Sequence, residues 1–248
     1  MTESVRLQKI LAQCGLGSRR QIEAWISAGR IKVNGVVADL GQKITIADQV
    51  LVNEQPIDPF SLLPSNKEVL LYYKPEGEIC TRKDPEGRPT IFTHLPPCKT
   101  GRWQNIGRLD LNTSGLLLLT NDGELANRLM HPRYQVEREY AVRIHGKPSK
   151  QQIQQLLTGV QIEPGQQAKF QRVTHRGGPG SNQWYDVVLT EGRNREVRRL
   201  WEAIGFTVTR LLRIRYGTIT LGSNMRPGQY RWLTATEIQQ LWQEENGS

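Results

Sequence analysis

The 248-residue chain is long enough for two domains, one of them small, and its 37% apolar and 23% charged residues allow a buried core. No apolar run approaches the roughly 20 residues that span a bilayer, and the longest, around Leu70–Tyr73 and Leu116–Leu119, are strand-sized. The start, with Glu3, Arg6 and Lys9, lacks the apolar segment of a secretory leader, and the widely spaced Cys14, Cys80 and Cys98 exclude a disulfide scaffold or Cys-x-x-Cys knuckle. These features predict a cytoplasmic protein that meets no membrane.

The net charge of +9 is concentrated in two blocks. Residues 5–43 hold seven basic residues (Arg6, Lys9, Arg19, Arg20, Arg30, Lys32, Lys43) against two acidic ones. Residues 192–216 hold seven arginines against two glutamates. Two basic blocks in an otherwise near-balanced chain suggest a polyanion partner, a nucleic acid above all; two solvated faces are the plain alternative.

In chain order, Leu7, Ile10, Leu11 and Cys14 mark one face of a short helix that Gly15 and Gly17 break. Ser18, with Gln21 three residues on, caps a second helix with the stripe Ile22, Trp25 and Ile26, ended by Gly29. Ile31–Val33 and Val36–Ala38 flank Asn34-Gly35, a hairpin signal. Residues 53–68, with Pro56, Pro59 and Pro64, read as a semi-rigid linker, which places a boundary near residue 65 and gives domains 1–65 and 66–248.

Beyond it, Val69–Tyr73, Gly115–Thr120, Tyr140–His145, Trp184–Thr190 and Arg210–Tyr216 read as strands, with Leu116–Leu119 buried on both faces. Helices are expected over Asp122–Met130 (Leu125, Ala126, Leu129 and Met130 inward) and after the Ser149/Gln152 capping pair (Ile153, Leu156 and Leu157 inward). Two more are expected after Arg193 (Val197, Leu200, Trp201, Ile204) and over Thr236–Gln243 (Ile238, Leu241, Trp242). Arg176–Asn182 reads as a flexible loop. The irregular order of strands and helices predicts an α+β fold, with a mixed, largely antiparallel sheet flanked by helices.

The four histidines form no His-x-x-x-His pair, and neither a phosphate-cradling glycine loop nor a Gly-x-Ser-x-Gly elbow occurs, so neither a metal nor a nucleotide cofactor is expected. What remains is an acid in a basic setting. Asp110, two residues after Arg108, sits in a polar loop that feeds the strand at Leu116. It is either a functional carboxylate or a turn-forming Asp with an exposed ion pair. Tyr140 is either a core ring or a surface on which a base stacks. Residues 192–199 open an arginine-studded helix with Arg195, Arg198 and Glu202 together; it is an exposed ion-pair face or a phosphate-gripping helix start.

These pieces together resemble one family. Gly107-Arg108-Leu109-Asp110, followed by Asn112-Thr113-Ser114-Gly115-Leu116-Leu117, is similar to the catalytic motif of the small-subunit-type branch of ribosomal RNA pseudouridine synthases. Tyr73–Gly77, Arg138–Val142, Glu191–Arg199 and Arg210–Gly217 resemble its further motifs in order, and residues 5–45 resemble an S4 RNA-binding domain. Asp84–Thr90 and Asn182–Tyr185 point to members acting on the large subunit. The resemblance implies a cofactor-free isomerase that turns uridine into pseudouridine in a 23S ribosomal RNA stem-loop, working as a monomer. It implies Asp110 as the essential carboxylate, Tyr140 stacked on the flipped base, and Arg198 as the basic partner of Asp110. Arg108 would also contact substrate, with Leu211 or Leu212 as an apolar wall. Arg6, Lys9, Arg19, Arg20, Arg30, Lys32, Arg193 and Arg195 would contact RNA. A non-enzymatic RNA-binding protein that keeps the S4 unit and a decayed catalytic fold is one rival, and a homologue aimed at the small subunit is a second.

Overall fold

The computed structural model describes residues 4–63 and 67–243. The chain forms two compact units, one built on the first 68 residues with 96–104 and 120–124, the other on 69–95, 105–119 and 125 onward. The expected boundary near residue 65, with Pro64, lies outside the described residues.

The first unit runs β1 (Val5–Arg6), α1 (Leu7–Gln13), α2 (Arg19–Ser27), β2 (Ile31–Val33), β3 (Val36–Val37), β4 (Lys43–Ile44), β5 (Val50–Val52) and β6 (Gln55–Ile57). The Ser18 side chain accepts from the Gln21 backbone N–H, so the expected cap forms. Asn34 (φ 52°) and Gly35 (φ 83°) make the expected tight turn between β2 and β3. Leu7, Ile10, Leu11, Ile22, Ile26 and Ile31 close a core with the inward residues of β4 and β5.

The expected linker over 53–68 starts too early. Asn53 (φ 50°) and Glu54 (φ 63°) form a second two-residue turn, and β6 pairs back on β5. Pro56 hid this strand from the sequence reading. It is tolerated because β6 is the edge of the order β3-β2-β5-β6, where a missing N–H costs no ladder bond.

The second unit holds, apart from Gln104, Thr120 and Gly123–Glu124 at the ends of three elements, which belong to the first, β7 (Val69–Lys74), β8 (Gln104–Ile106), β9 (Ser114–Thr120), α3 (Gly123–Met130), β10 (Arg138–His145), α4 (Lys150–Thr158), β11 (Val160–Glu163), β12 (Gln166–Ala168), β13 (Arg172–Gly177), β14 (Asn182–Leu189), α5 (Glu196–Ala203), β15 (Val208–Tyr216), β16 (Ile219–Thr220), β17 (Tyr230–Trp232) and α6 (Ala235–Gln243). The main sheet has the order β13-β14-β10-β15-β9-β7-β17. Its β13/β14, β14/β10, β10/β15 and β7/β17 pairs are antiparallel and β15/β9 is parallel, so the fold is α+β with a mixed, largely antiparallel sheet, as expected. Leu116–Leu119 are fully buried. Among the described residues, no helix is long and apolar enough to cross a membrane.

Three local expectations need correction. Met130 is 40% exposed, because α3 ends there and its core side stops at Leu129. In α4, with both halves of its Ser149/Gln152 capping box formed, Leu156 alone is fully inward while Ile153 and Leu157 are half-buried. Arg176–Asn182 is no free loop. Its ends belong to β13 and β14, and the buried Gln183 amide donates to the Gly178 and Gly180 carbonyls, closing the turn.

Candidate active site

The loop before β9 is held by its main chain. The buried Lys74 ammonium, at the end of β7, donates to the carbonyls of Pro75 (2.9 Å), Asp110 (3.1 Å) and Thr113 (2.9 Å). Its three protons are thereby all used. Burial pulls the Lys74 pKa below its ordinary value, while Cys80, Glu78, Asp110 and Glu76 work the other way. The Gly77 N–H donates to the Leu111 carbonyl (2.8 Å), and the Asp110 carbonyl also accepts from the Thr113 N–H (3.1 Å). A side chain at Gly115 (φ +109°) would meet the Arg213 main chain at 2.3 Å, so only glycine lets β9 lie this close to β15.

Asp110 opens onto a cleft of about 950 Å³. Tyr140, Leu211 and Arg213 form another wall, with Tyr140 directly opposite Arg213 in the β10/β15 register. The α5 entrance adds Arg193, Arg195 and Glu196. Arg195 takes a left-handed backbone (φ 51°) at the helix start, and the buried Glu196 carboxylate accepts from the Arg193 N–H (3.0 Å). Burial pushes the Glu196 carboxyl above its ordinary pKa, opposed by that N–H. Five arginines (108, 138, 193, 195, 213) line the cleft against three carboxylates, a balance that favours an anionic ligand.

Asp110, Arg108, Tyr140, Leu211, Arg193 and Arg195 therefore share one cleft; Leu211 lines it and Leu212 does not. Arg198 lies outside the cleft lining and is buried, not on an exposed ion-pair face. Its guanidinium donates to the carbonyls of Val208 (3.0 Å) and Asn112 (2.8 Å). Burial and Arg195 lower its pKa, and Asp110 acts in the opposite direction. Lys74, Arg213 and Glu196 escaped the residue-by-residue reading. Lys74 carries two signals, a lysine at the end of a five-residue apolar strand and a place in the Tyr73–Gly77 motif, and neither points to its carbonyl partners.

In the first unit Arg6, Arg19 and Arg20 are exposed. Lys9 pairs with Glu124 (2.9 Å) and Lys32 with Glu54 (2.8 Å). Arg30 donates to Asn53 (2.7 Å) and lies 5.0 Å over the Trp25 ring. Among the described residues no group of three or more His, Cys, Asp or Glu side chains gathers in a metal-holding arrangement.

Residues 68–203 match the family model described as RNA pseudouridylate synthase, and residues 5–50 match the S4 domain. The chain belongs to the RNA pseudouridylate synthase family. The family's reaction is an isomerisation. The "Ribosomal large subunit pseudouridine synthase B" of Pseudomonas aeruginosa is 54% identical over 240 residues, 96% of this chain and 62% of that protein. The proteins of the same name from Yersinia pestis and Salmonella typhimurium are 55% and 51% identical; the matches cover 90% and 96% of this chain, and 70% and 82% of theirs. A solved structure described as a pseudouridylate synthase superposes with a TM-score of 0.68 at 25% identity, covering 96% of this chain and 100% of that one.

Proposed function

We propose that this chain isomerises uridine to pseudouridine in 23S ribosomal RNA of the large subunit, with residues 1–65 as an RNA-binding domain and 66–248 as the catalytic domain. The observation that carries the reading is that Asp110, Tyr140 and Leu211 line one arginine-rimmed cleft. The names of the relatives support the large subunit as target.

The reaction breaks the N1–C1′ bond, turns the uracil and joins C5 to C1′. A uridine within a stem-loop presents neither C1′ nor C5 until it is flipped out. Tyr140 gives the flipped ring a stacking face and Leu211 an apolar wall. Asp110 either attacks C1′ or takes a sugar proton; both roles need an ionised carboxylate placed at the sugar. Arg198 acts as a positioning residue, since it grips the loop through the Asn112 carbonyl while adding positive charge near Asp110. Arg108, Arg193 and Arg195 contact the backbone or sugar of the bound strand.

The test is pseudouridine mapping of large-subunit RNA from cells with and without this protein, beside conversion of a hairpin transcript by purified protein. Tight RNA binding with no uridine converted in either setting favours the non-enzymatic rival.

Two further outcomes are expected. Tyr140→Ala should slow single-turnover conversion more than Tyr140→Phe, because Phe keeps the π-face while Ala loses about 1–3 kcal/mol of stacking. A Phe variant as slow as Ala would assign the hydroxyl a chemical role instead. Arg19→Ala together with Arg20→Ala should weaken RNA binding and flatten the dependence of log K on log salt by roughly 0.7–0.9 per lost phosphate contact. The rate at saturating RNA should stay unchanged, and an unaltered salt slope would remove these two residues from the RNA interface.

A further inference from the structure

Lys74, Arg198 and Arg213 are all buried, and each spends its hydrogen bonds on main-chain carbonyls of the Asp110 region or its neighbours. Arg213 differs from the other two in facing the cleft. Its Nε donates to the Leu116 carbonyl (2.7 Å), and its guanidinium lies 5.0 Å from the Tyr216 ring centre. Its Nη2 is buried and has no hydrogen-bond partner, although the residue is only 2% exposed. The Thr113 hydroxyl, also on the cleft and also 2% exposed, is likewise without a partner. Buried polar groups are nearly always satisfied, and a charged donor left unmade is the costliest exception. Two such groups lining one cleft, one of them directly across the strand pair from Tyr140, mark a place kept for an acceptor.

We infer that Arg213 is a catalytic residue that donates from Nη2 to a carbonyl oxygen of the flipped uracil. This inference rests on the function proposed above. When the N1–C1′ bond breaks, its electron pair stays with the ring and spreads from N1 onto the O2 and O4 carbonyls. A fixed guanidinium in a water-poor wall stabilises that charge as it develops, with no solvent to reorganise. The ring then returns the pair to C1′ from C5, the C5 proton leaves, and N1 takes up a proton, so the overall change is an isomerisation. Where that acceptor is O4, the same donor also disfavours cytosine, whose 4-amino group would point a second donor at the arginine, whereas a donor at O2 does not separate the two bases.

The test compares two hairpin transcripts, one with uridine and one with 5-fluorouridine at the target. Fluorine withdraws electrons and makes the departing ring a better leaving group, so cleavage needs less help from a donor. Disappearance of the starting nucleoside is followed in single turnovers at saturating enzyme. Arg213→Gln should lose about 10²-fold on uridine and at most about tenfold on 5-fluorouridine. Arg213→Lys, which keeps the charge and can still reach Leu116, covers the case in which Gln disturbs the fold; its loss should also be larger on uridine. Equal losses on both transcripts with both variants, while wild type is active, overturn the role of Arg213 alone. Equal losses with a weakened salt dependence of binding would reassign Arg213 to a phosphate contact. Wild-type protein that leaves uridine unchanged overturns the proposed function itself, and this inference with it.

Discussion

Asp110→Asn should abolish conversion of uridine while leaving the fold and RNA affinity close to wild type. The loop geometry makes this a clean substitution. Lys74 and the Thr113 N–H both hold the main-chain carbonyl of Asp110, not its carboxylate, so those tethers survive a change of side chain. Asn also keeps the size and turn-forming ability of Asp. What it lacks is the charge, and a neutral amide neither attacks C1′ nor removes a sugar proton. Removing a negative charge beside RNA should leave binding unchanged or slightly tighter. The measurement is single-turnover conversion of a uridine hairpin at saturating variant, beside a binding titration and a thermal melt. Conversion within about tenfold of wild type, roughly 1.4 kcal/mol in the barrier, would remove Asp110 as the reacting group.

Much of this was legible in the chain because local signals agree with the tertiary fold. Ser18 and Ser149 cap helices where their spacing to Gln21 and Gln152 says they should, and Asn34-Gly35 turns the hairpin. Strands β7, β9, β10, β14 and β15 announced themselves as apolar runs. Strands such as β6, β13 and β17 did not. Pro56 argues against a strand until its edge position is known, and Arg172–Gly177 and Tyr230–Trp232 carry too few apolar residues to show a period. The site followed the same division. Asp110 and Tyr140 stood out by motif, but the buried cations could not. Arg198 sits next to Val197 on the flank of the α5 apolar stripe, where helical spacing alone reads it as solvated. Only the fold brings the Val208 and Asn112 carbonyls to it. Arg213 and Lys74 are hidden for the same reason, since the Leu116 carbonyl for the one and the Asp110 and Thr113 carbonyls for the other come from segments tens of residues away.

Lys74→Met should cost both stability and rate, and the pattern of loss separates positioning from simple unfolding. Methionine has nearly the length of lysine and no donors, so the Pro75, Asp110 and Thr113 carbonyls lose one partner each. An unmet buried acceptor costs about 1–3 kcal/mol. Part of that is offset, because the fold no longer has to bury an ammonium whose protonation burial already disfavours. A lowered melting temperature with a folded protein at 25 °C is the expected result. The rate should suffer more. With the tether gone the 110–113 turn is free to shift, and a displacement of about 1 Å at a reacting group can lower the rate about 10²-fold. RNA affinity should hardly change, since Lys74 is fully buried. The check is single-turnover rate at saturating RNA well below the melting transition, with affinity measured in parallel. A Met variant that melts early yet converts uridine within a few-fold of wild type would show that Lys74 serves stability only. A variant with the wild-type melting temperature and a rate down about 10²-fold would show the opposite extreme, a lysine kept at the end of an apolar strand for the placement of Asp110.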